Sequence, residues 1–334
     1  VEEPVPTITD PAPATVRAEL DKLHARLDDT IPAKRLDENL LIGTWNLRAF
    51  GGLTDRWTAG ADDTPKRDFR SIRSIAEVVS RFDVVAIQEV RGDIKALRAL
   101  LRVLGDQWAF TLTDVTKGKD GNDERMAFLF DTRRLRLSGL ACELVLPPEW
   151  GGTAIGPAAS MRQFARTPYA VSFLSTGGGY RQTFILVTLH VIYGDKPDDR
   201  IGELSAIAQW LAAWAKDLKG FDQNLVCLGD FNIDRMGDPN YEAFASTGLR
   251  PPHELEGLPR TIFDSGTDKY FDQVAWFTGE HDVPALALHY SGRAANFDFT
   301  QDVQTSLTRE ELSWKISDHY PLWCEFLVRD SLQS

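Results

Sequence analysis

Thiols are scarce in this chain. Cys142, Cys227 and Cys324 are its three cysteines, and all lie in apolar, strand-like contexts. Such a set reads as buried reduced thiols and argues against a full disulfide framework. Long hydrophobic runs are missing too. No apolar stretch approaches the roughly 20 residues that span a bilayer, so no stable membrane insertion is expected. The N-terminus lacks a basic stretch followed by an apolar core, so no signal peptide is expected to remain. The expectation is a soluble protein, cytoplasmic or secreted after processing. HExxH, paired CxxC and P-loop motifs are absent, which removes the metalloprotease, zinc-finger and P-loop readings. Positive charge is also in deficit: 37 Lys and Arg stand against 49 Asp and Glu, a net charge of −12. Phosphate contacts rely on Lys and Arg, so an acidic chain is a poor general binder of nucleic acid. A polyanionic substrate would need divalent cations or a few local arginines to offset that field.

What is present is organised as alternating strands and helices. Proline-rich residues 1–14 read as a mobile arm and residues 15–28 as a short amphipathic helix. Together they suggest an N-terminal arm over 1–36 ahead of one catalytic domain over 37–330. From Leu40, "NLLIGTWN", "DVVAIQEV", "RQTFILVTLH", "NLVCLGDFN", "KYFDQVAWF" and "SDHYPLWCEFLV" read as strands. "FRSIRSIAEVVSRF" puts Ile72, Ile75, Val78 and Val79 on one helical face. "IKALRALLRVLG" reads as a helix that stops at Gly105. "IGELSAIAQWLAAWAKDLKG" turns Ile201, Leu204, Ile207, Leu211 and Leu218 inward. The halves echo one another: helix, strand, then an acid at the strand's C-terminal end. That echo predicts two similar layers packed face to face. Residues 278–314 are the least regular stretch and read as a long excursion, not a second domain.

The strand ends share a feature. Asn46, Glu89, His190, Asp230 with Asn232, Asp272, and Asp318 with His319 each put a hard oxygen or an imidazole there. Singly, each has a bland reading: Asp or Asn after a strand closes an Asx-turn, and a lone His in an apolar strand is a packed core residue. As a set they point to a site, because strand ends are where an α/β scaffold builds one. Carboxylates and an amide without thiolates suit Mg²⁺, with Mn²⁺ or Ca²⁺ as alternatives, over zinc. Two histidines beside carboxylates offer a general base and an electrophilic donor. The set reads as metal-assisted hydrolysis of a phosphate ester. Within "LVCLGDFNID", Gly229 is expected to allow a tight turn, Asp230 and Asn232 to point into the site, Phe231 into packing, and Asp234 to be an exposed cap.

In that order, "TWNLR", "IQEVR", "TLH", "LGDFN" and "SDHYPL" resemble the endonuclease/exonuclease/phosphatase superfamily, and most of all its deoxyribonuclease I-like branch. The likeness runs from about Leu40 to Val328. It implies an α/β four-layer sandwich, two packed mixed sheets with helices outside. It also implies roles. Glu89 would be the main metal carboxylate with Asn46 beside it, and Asp318 a metal ligand or the neighbour of His319. His319 would be the general base, oriented by Asp272. Asp230 and Asn232 would orient the water and hold the phosphate, and His190 would serve the phosphate or the leaving group. "DERMAFLFD" makes Glu124 the partner of His190. "QEVR" places a DNA-contacting arginine at Arg91 and "FARTPYAVSF" a phosphate-contacting one at Arg166; for each the bland alternative is a solvated charge.

The first reading is therefore a monomeric, divalent-metal-dependent phosphodiesterase, an endonuclease on DNA. A second keeps the mechanism but takes a lipid or small-molecule phosphoester, as in sphingomyelinase-like and inositol-phosphatase-like members; the acidic charge favours it. A third, a sandwich kept as a binding module, would need a lost site residue, and every expected position is filled.

Overall fold

The computed structural model describes residues 6–117, 121–146, 164–177, 181–217, 224–263 and 269–328. The alternation becomes two six-stranded mixed sheets. The first holds β1 (Asn39–Phe50), β2 (Val84–Arg91), β3 (Trp108–Leu112), β4 (Glu124–Asp131), β11 (His289–Asn296) and β12 (Leu322–Leu327), in the order β11-β12-β1-β2-β4-β3. The second holds β5 (Leu135–Glu143), β6 (Tyr169–Ser175), β7 (Thr183–His190), β8 (Leu225–Asp230), β9 (Leu249–Arg250) and β10 (Asp272–Phe277), in the order β5-β6-β7-β8-β10-β9. Each sheet has a parallel pair at its middle, β1 with β2 and β7 with β8. A parallel pair needs a crossover connection. Helix α2 (Phe69–Val79) supplies one and α4 (Ile201–Lys216) the other. This is the physical form of the two-fold echo.

Strands buried on both faces sort their side chains by parity. Leu40 and Ile42 of β1, Val84 and Ala86 of β2, Val226 and Leu228 of β8, and Val274 of β10 meet between the sheets. Leu41, Val85 and Ile87 face the other way, against α2, α3 (Lys95–Leu104) and α1 (Ala14–Thr30). On the far side, Leu225 and Cys227 pack with Leu204, Ile207 and Leu211 of α4 and Phe244 of α5 (Pro239–Ala245). The result is a four-layer sandwich.

The helix readings follow the same physics. Ile72, Ile75, Val78 and Val79 of α2 are buried together, and Asp68 caps the helix by accepting from the Ser71 N–H at 2.9 Å. Helix α3 ends at Gly105, whose φ is 91°. In α4 the residues Leu204, Ile207 and Leu211 are buried, Ile201 is half-buried, and Leu218 lies outside the described residues. Ahead of β1, α1 buries Leu23 and Leu27, and Ile8 joins the same core. The stretch 278–314 carries β11 and most of α6 (Arg309–Lys315). Among the described strands β11 pairs only with β12 and forms one edge of the first sheet, which is why "HYSGRAAN" shows no apolar alternation. Cys227 and Cys324 are buried, Cys142 is half-buried, and all three are free. No described helix is long and apolar enough to cross a membrane.

Candidate active site

The parity that fills the core also builds the site. Asn46 continues Leu40 and Ile42, His190 continues Leu186, and Asp230 continues Val226 and Leu228. Glu124 precedes Met126 and Phe128, and Asp272 precedes Val274. All five therefore point between the sheets, at the end where the parallel strands finish. Glu89 departs from this rule. Both ladders of β2 shift register beside it, and its φ is 61°. Such a bulge re-aims a side chain. The Glu89 carboxylate accepts from the Ala49 N–H at 2.8 Å, and Ala49 itself sits at φ 47°.

The "LVCLGDFNID" segment is held from several sides. Gly229 has φ 136°, and a Cβ there would lie 2.1 Å from the Leu189 carbonyl oxygen. The glycine thus serves a close approach between β7 and β8, not the tight turn expected. Asp230 accepts from the Asn232 N–H at 2.9 Å and from Asn46 Nδ2 at 3.0 Å. Asn232 donates to the Val191 carbonyl at 2.7 Å, and the buried Arg200 donates to the Asn232 carbonyl at 2.6 Å. Phe231 turns into the helix-side core, edge-on to Phe244 at 4.9 Å. Asp234 is not the exposed cap expected: Arg200 and Lys269 bind it at 2.9 and 3.0 Å.

Two histidine–carboxylate pairs flank this motif. His319 Nδ1 lies 2.6 Å from Asp272 Oδ2, both groups being buried. Burial pushes the Asp272 carboxyl up to about 6, although His319 pulls against it. Burial disfavours the His319 cation, but Asp272, Asp230 and Asp318 outweigh it and raise the imidazole well above its ordinary value. In the other pair, His190 Nδ1 is 3.3 Å from Glu124 Oε2, and His190 Nε2 is 3.6 Å from Asp230 Oδ2. Glu124 is also bound by Arg166 Nε at 2.6 Å, by Asn122 Nδ2 at 2.5 Å, and approached by Arg91 at 3.3 Å. Burial of Glu124 is outweighed by His190, Arg166 and Arg91, which hold its carboxyl at about 2.

The groups open on a cavity of about 590 Å³. Glu89, Glu124, Arg166, His190, Asp230, Asn232, Asp318 and His319 line it. Asn46 and Asp272 stand behind Asp230 and His319 and do not line it; Arg91 lies outside it, about one-third exposed at 30%. Among the described residues, Asn46 Oδ1, Asp318 Oδ1 and Arg166 Nη1 are buried without a hydrogen-bond partner. Two unpartnered oxygens near a bulged carboxylate fit a hard divalent cation that keeps several waters. A cage of three or more His, Cys, Asp or Glu is not found among the described residues; Asn46, Glu89 and Asp318 could offer such an ion two carboxylates and an amide.

Five contributors were not singled out from sequence. Ser317, inside "SDHYPL", accepts from the His319 N–H at 3.0 Å and donates to the Asn46 carbonyl at 2.5 Å. Asn122 stands two residues before Glu124. Tyr193, Phe271 and Lys269 form a partly aromatic wall. Ser317 had a signal, its place within a motif, and so had Lys269 and Phe271 at the start of "KYFDQVAWF"; Asn122 and Tyr193 sit outside the quoted motifs.

The chain belongs to the Endonuclease/Exonuclease/phosphatase family, whose model matches residues 43–319. Members of this family hydrolyse phosphoesters. A deoxyribonuclease of Thioalkalivibrio sp. (strain K90mix) is 25% identical over 298 residues, 86% of this chain and 71% of that protein. An endonuclease/exonuclease/phosphatase family protein from Bacteroides thetaiotaomicron has a similar fold, with TM-score 0.55 at 16% identity over 87% of this chain and 95% of its own. A mannosyl-6-phosphatase of Bacteroides thetaiotaomicron VPI-5482 has TM-score 0.54 at 17% identity, over 86% and 99%.

Proposed function

We propose that the protein is a divalent-metal-dependent phosphodiesterase that cleaves DNA as an endonuclease. The observation that carries this reading is the convergence of the His319–Asp272 and His190–Glu124 pairs on one cavity, with Asp230 and Asn232 between them. Asn46, Glu89 and Asp318 would hold a hard cation, which when bound would supply positive charge against the phosphoryl and leaving oxygens. The remaining work falls to the chain itself. His319 gives its Nδ1–H to Asp272, so Nε2 is the base that takes the proton of the attacking water. Asp230 and Asn232 orient that water. One P–O bond forms to it while the bond to the leaving oxygen breaks. His190, set between Glu124 and Asp230, donates a hydrogen bond toward the leaving oxygen. Arg166, with Nη1 unpartnered, binds the phosphate. Arg91, outside the cavity, reaches a flanking phosphate.

The deoxyribonuclease relative supports DNA as substrate. A second reading, a lipid or small-molecule phosphoester, is favoured by one observation: both arginines already bind Glu124 in a chain of net charge −12. Cleavage of supercoiled plasmid in Mg²⁺ or Mn²⁺, beside a chromogenic phosphodiester and a phosphomonoester, separates them. Arg91→Ala is expected to slow plasmid cleavage and flatten its salt dependence, while sparing the chromogenic ester. Equal loss on both substrates, or no plasmid cleavage by the wild type in any divalent metal, moves the assignment to the second reading.

A further inference from the structure

One buried cation takes no part in the chemistry above. Arg67 is only 2% exposed, yet its hydrogen bonds go to backbone carbonyls instead of a carboxylate. Nη2 donates to the Arg48 carbonyl at 2.6 Å and to Ile316 at 3.2 Å; Nη1 donates to Ala49 at 3.0 Å and Nε to Lys315 at 3.1 Å. Its guanidinium also lies over the Phe50 ring, 5.1 Å from the centroid. Two of these carbonyls belong to the end of β1, between Asn46 and the strained Ala49 whose N–H holds Glu89. The other two belong to the C-terminal end of α6, Lys315 and its cap Ile316, just before Ser317, Asp318 and His319. Arg67 is itself anchored, because the next residue, Asp68, caps α2 and binds Lys315 Nζ at 2.5 Å. No other described hydrogen bond from one side chain ties these two segments by four carbonyls. A planar fork of five N–H donors can do this; an ammonium cannot reach all four in one geometry.

We propose that Arg67 is a positioning residue that sets the spacing between the Asn46–Glu89 side and the Asp318–His319 side of the site, an inference that rests on the phosphodiesterase reading above. It acts through the backbone. Losing it leaves the single bonds from Ser317 Oγ to the Asn46 carbonyl and from Trp45 Nε1 to the His319 carbonyl but loosens the distance between Glu89 and Asp318, which a shared cation requires to be fixed.

The test uses the full chain with Arg67→Met, Arg67→Lys, and Arg134→Met as a control for stability alone. Arg134 is also buried, donates to Asp83 and to the Asn39 carbonyl at 2.6 Å each, and lies at the opposite end of β1. Melting temperature, Mn²⁺ affinity of the metal-free protein by calorimetric titration, and kcat and KM are read on the same samples. Arg67→Met is expected to weaken Mn²⁺ binding by about 10–100-fold, the range for groups that orient metal ligands, with kcat falling and KM nearly constant. Arg67→Lys should recover part of both. Arg134→Met should lower the melting temperature and leave Mn²⁺ affinity and kcat as in the wild type. Wild-type Mn²⁺ affinity in a folded Arg67 variant overturns the proposal, as does an equal loss of affinity in Arg134→Met. If Arg67→Met does not fold, Arg67→Lys decides by the same criterion. Glu89→Gln is run alongside: wild-type Mn²⁺ binding and turnover in that variant would remove Glu89 as a metal ligand and with it the spacing that Arg67 is proposed to set, whereas no phosphodiester turnover by the wild type in Mn²⁺ would mean that the phosphodiesterase reading itself fails.

Discussion

His319 and His190 face the same cavity, each beside a carboxylate, and the two surroundings tune them differently. Asp272 gives one oxygen to His319 at 2.6 Å, in a buried setting that lifts its own carboxyl to about 6. Glu124 divides its charge among His190, Arg166 and Arg91 and is held at about 2. A carboxylate committed to one imidazole makes that imidazole a strong base. A carboxylate shared among two guanidinium groups and an imidazole is an anchor for phosphate-binding groups.

The largest effect expected from this contrast is a difference between two truncations. His319→Ala should slow turnover by about 10³–10⁴ and His190→Ala by about 10²–10³, within the range for general acid–base groups. Both should melt near the wild-type temperature. A His190→Ala loss equal to that of His319→Ala would erase the distinction, and a large drop in melting temperature with specific activity kept would make the residue a packing histidine.

A smaller effect is a shift in pH dependence. The base must be neutral, so the rate should rise with pH through the elevated His319 value. Asp272→Asn removes the carboxylate that raises it, and the limb of the kcat/KM profile should move to lower pH. An unmoved limb would assign it to another group.

Glu124→Gln should act in the same direction as His190→Ala but more weakly, about tenfold. The double variant should be less than additive; additive losses would show that the two side chains do not work as a unit.

The smallest effect is on stability. Glu124 is depressed from an unfolded value of about 4.3 to about 2. A depressed acid contributes stability above its unfolded value, and the contribution is lost as pH falls toward the folded one. Between about pH 5 and 2 the Glu124→Gln variant should therefore lose less stability than the wild type, by about 2–3 kcal/mol at most. Parallel acid-unfolding curves would count against the charge sharing described.

Much of this was legible because strand parity is a local property. "LVCLGDFN" sorts Val226, Leu228 and Asp230 to one side and Cys227 and Phe231 to the other, and reading by twos places the acid at the core's edge. Periodicity likewise set the buried faces of α2 and α4. The ordered motifs brought Asn46, Glu89, His190 and His319 together across a separation no local rule spans. What stayed hidden depends on tertiary contacts. Asp234 looked like a free cap because nothing near it in sequence shows that Arg200 and Lys269 fold against it. β11 escaped because an edge strand need not alternate. Arg67 had no signal at all, since its partners are carbonyls from two distant segments.

Ala49 offers a route to a hardier enzyme. A non-glycine residue in the left-handed region costs about 1–3 kcal/mol, and Ala49 occupies it at φ 47°. The contact it makes to Glu89 comes from its backbone N–H, so the methyl group is dispensable. Ala49→Gly should relieve the crowding and raise heat tolerance by about 1 kcal/mol, with the Glu89 carboxylate still held. Stabilising changes near a working site ordinarily cost activity; this position combines a strained backbone with a side chain that the site does not use.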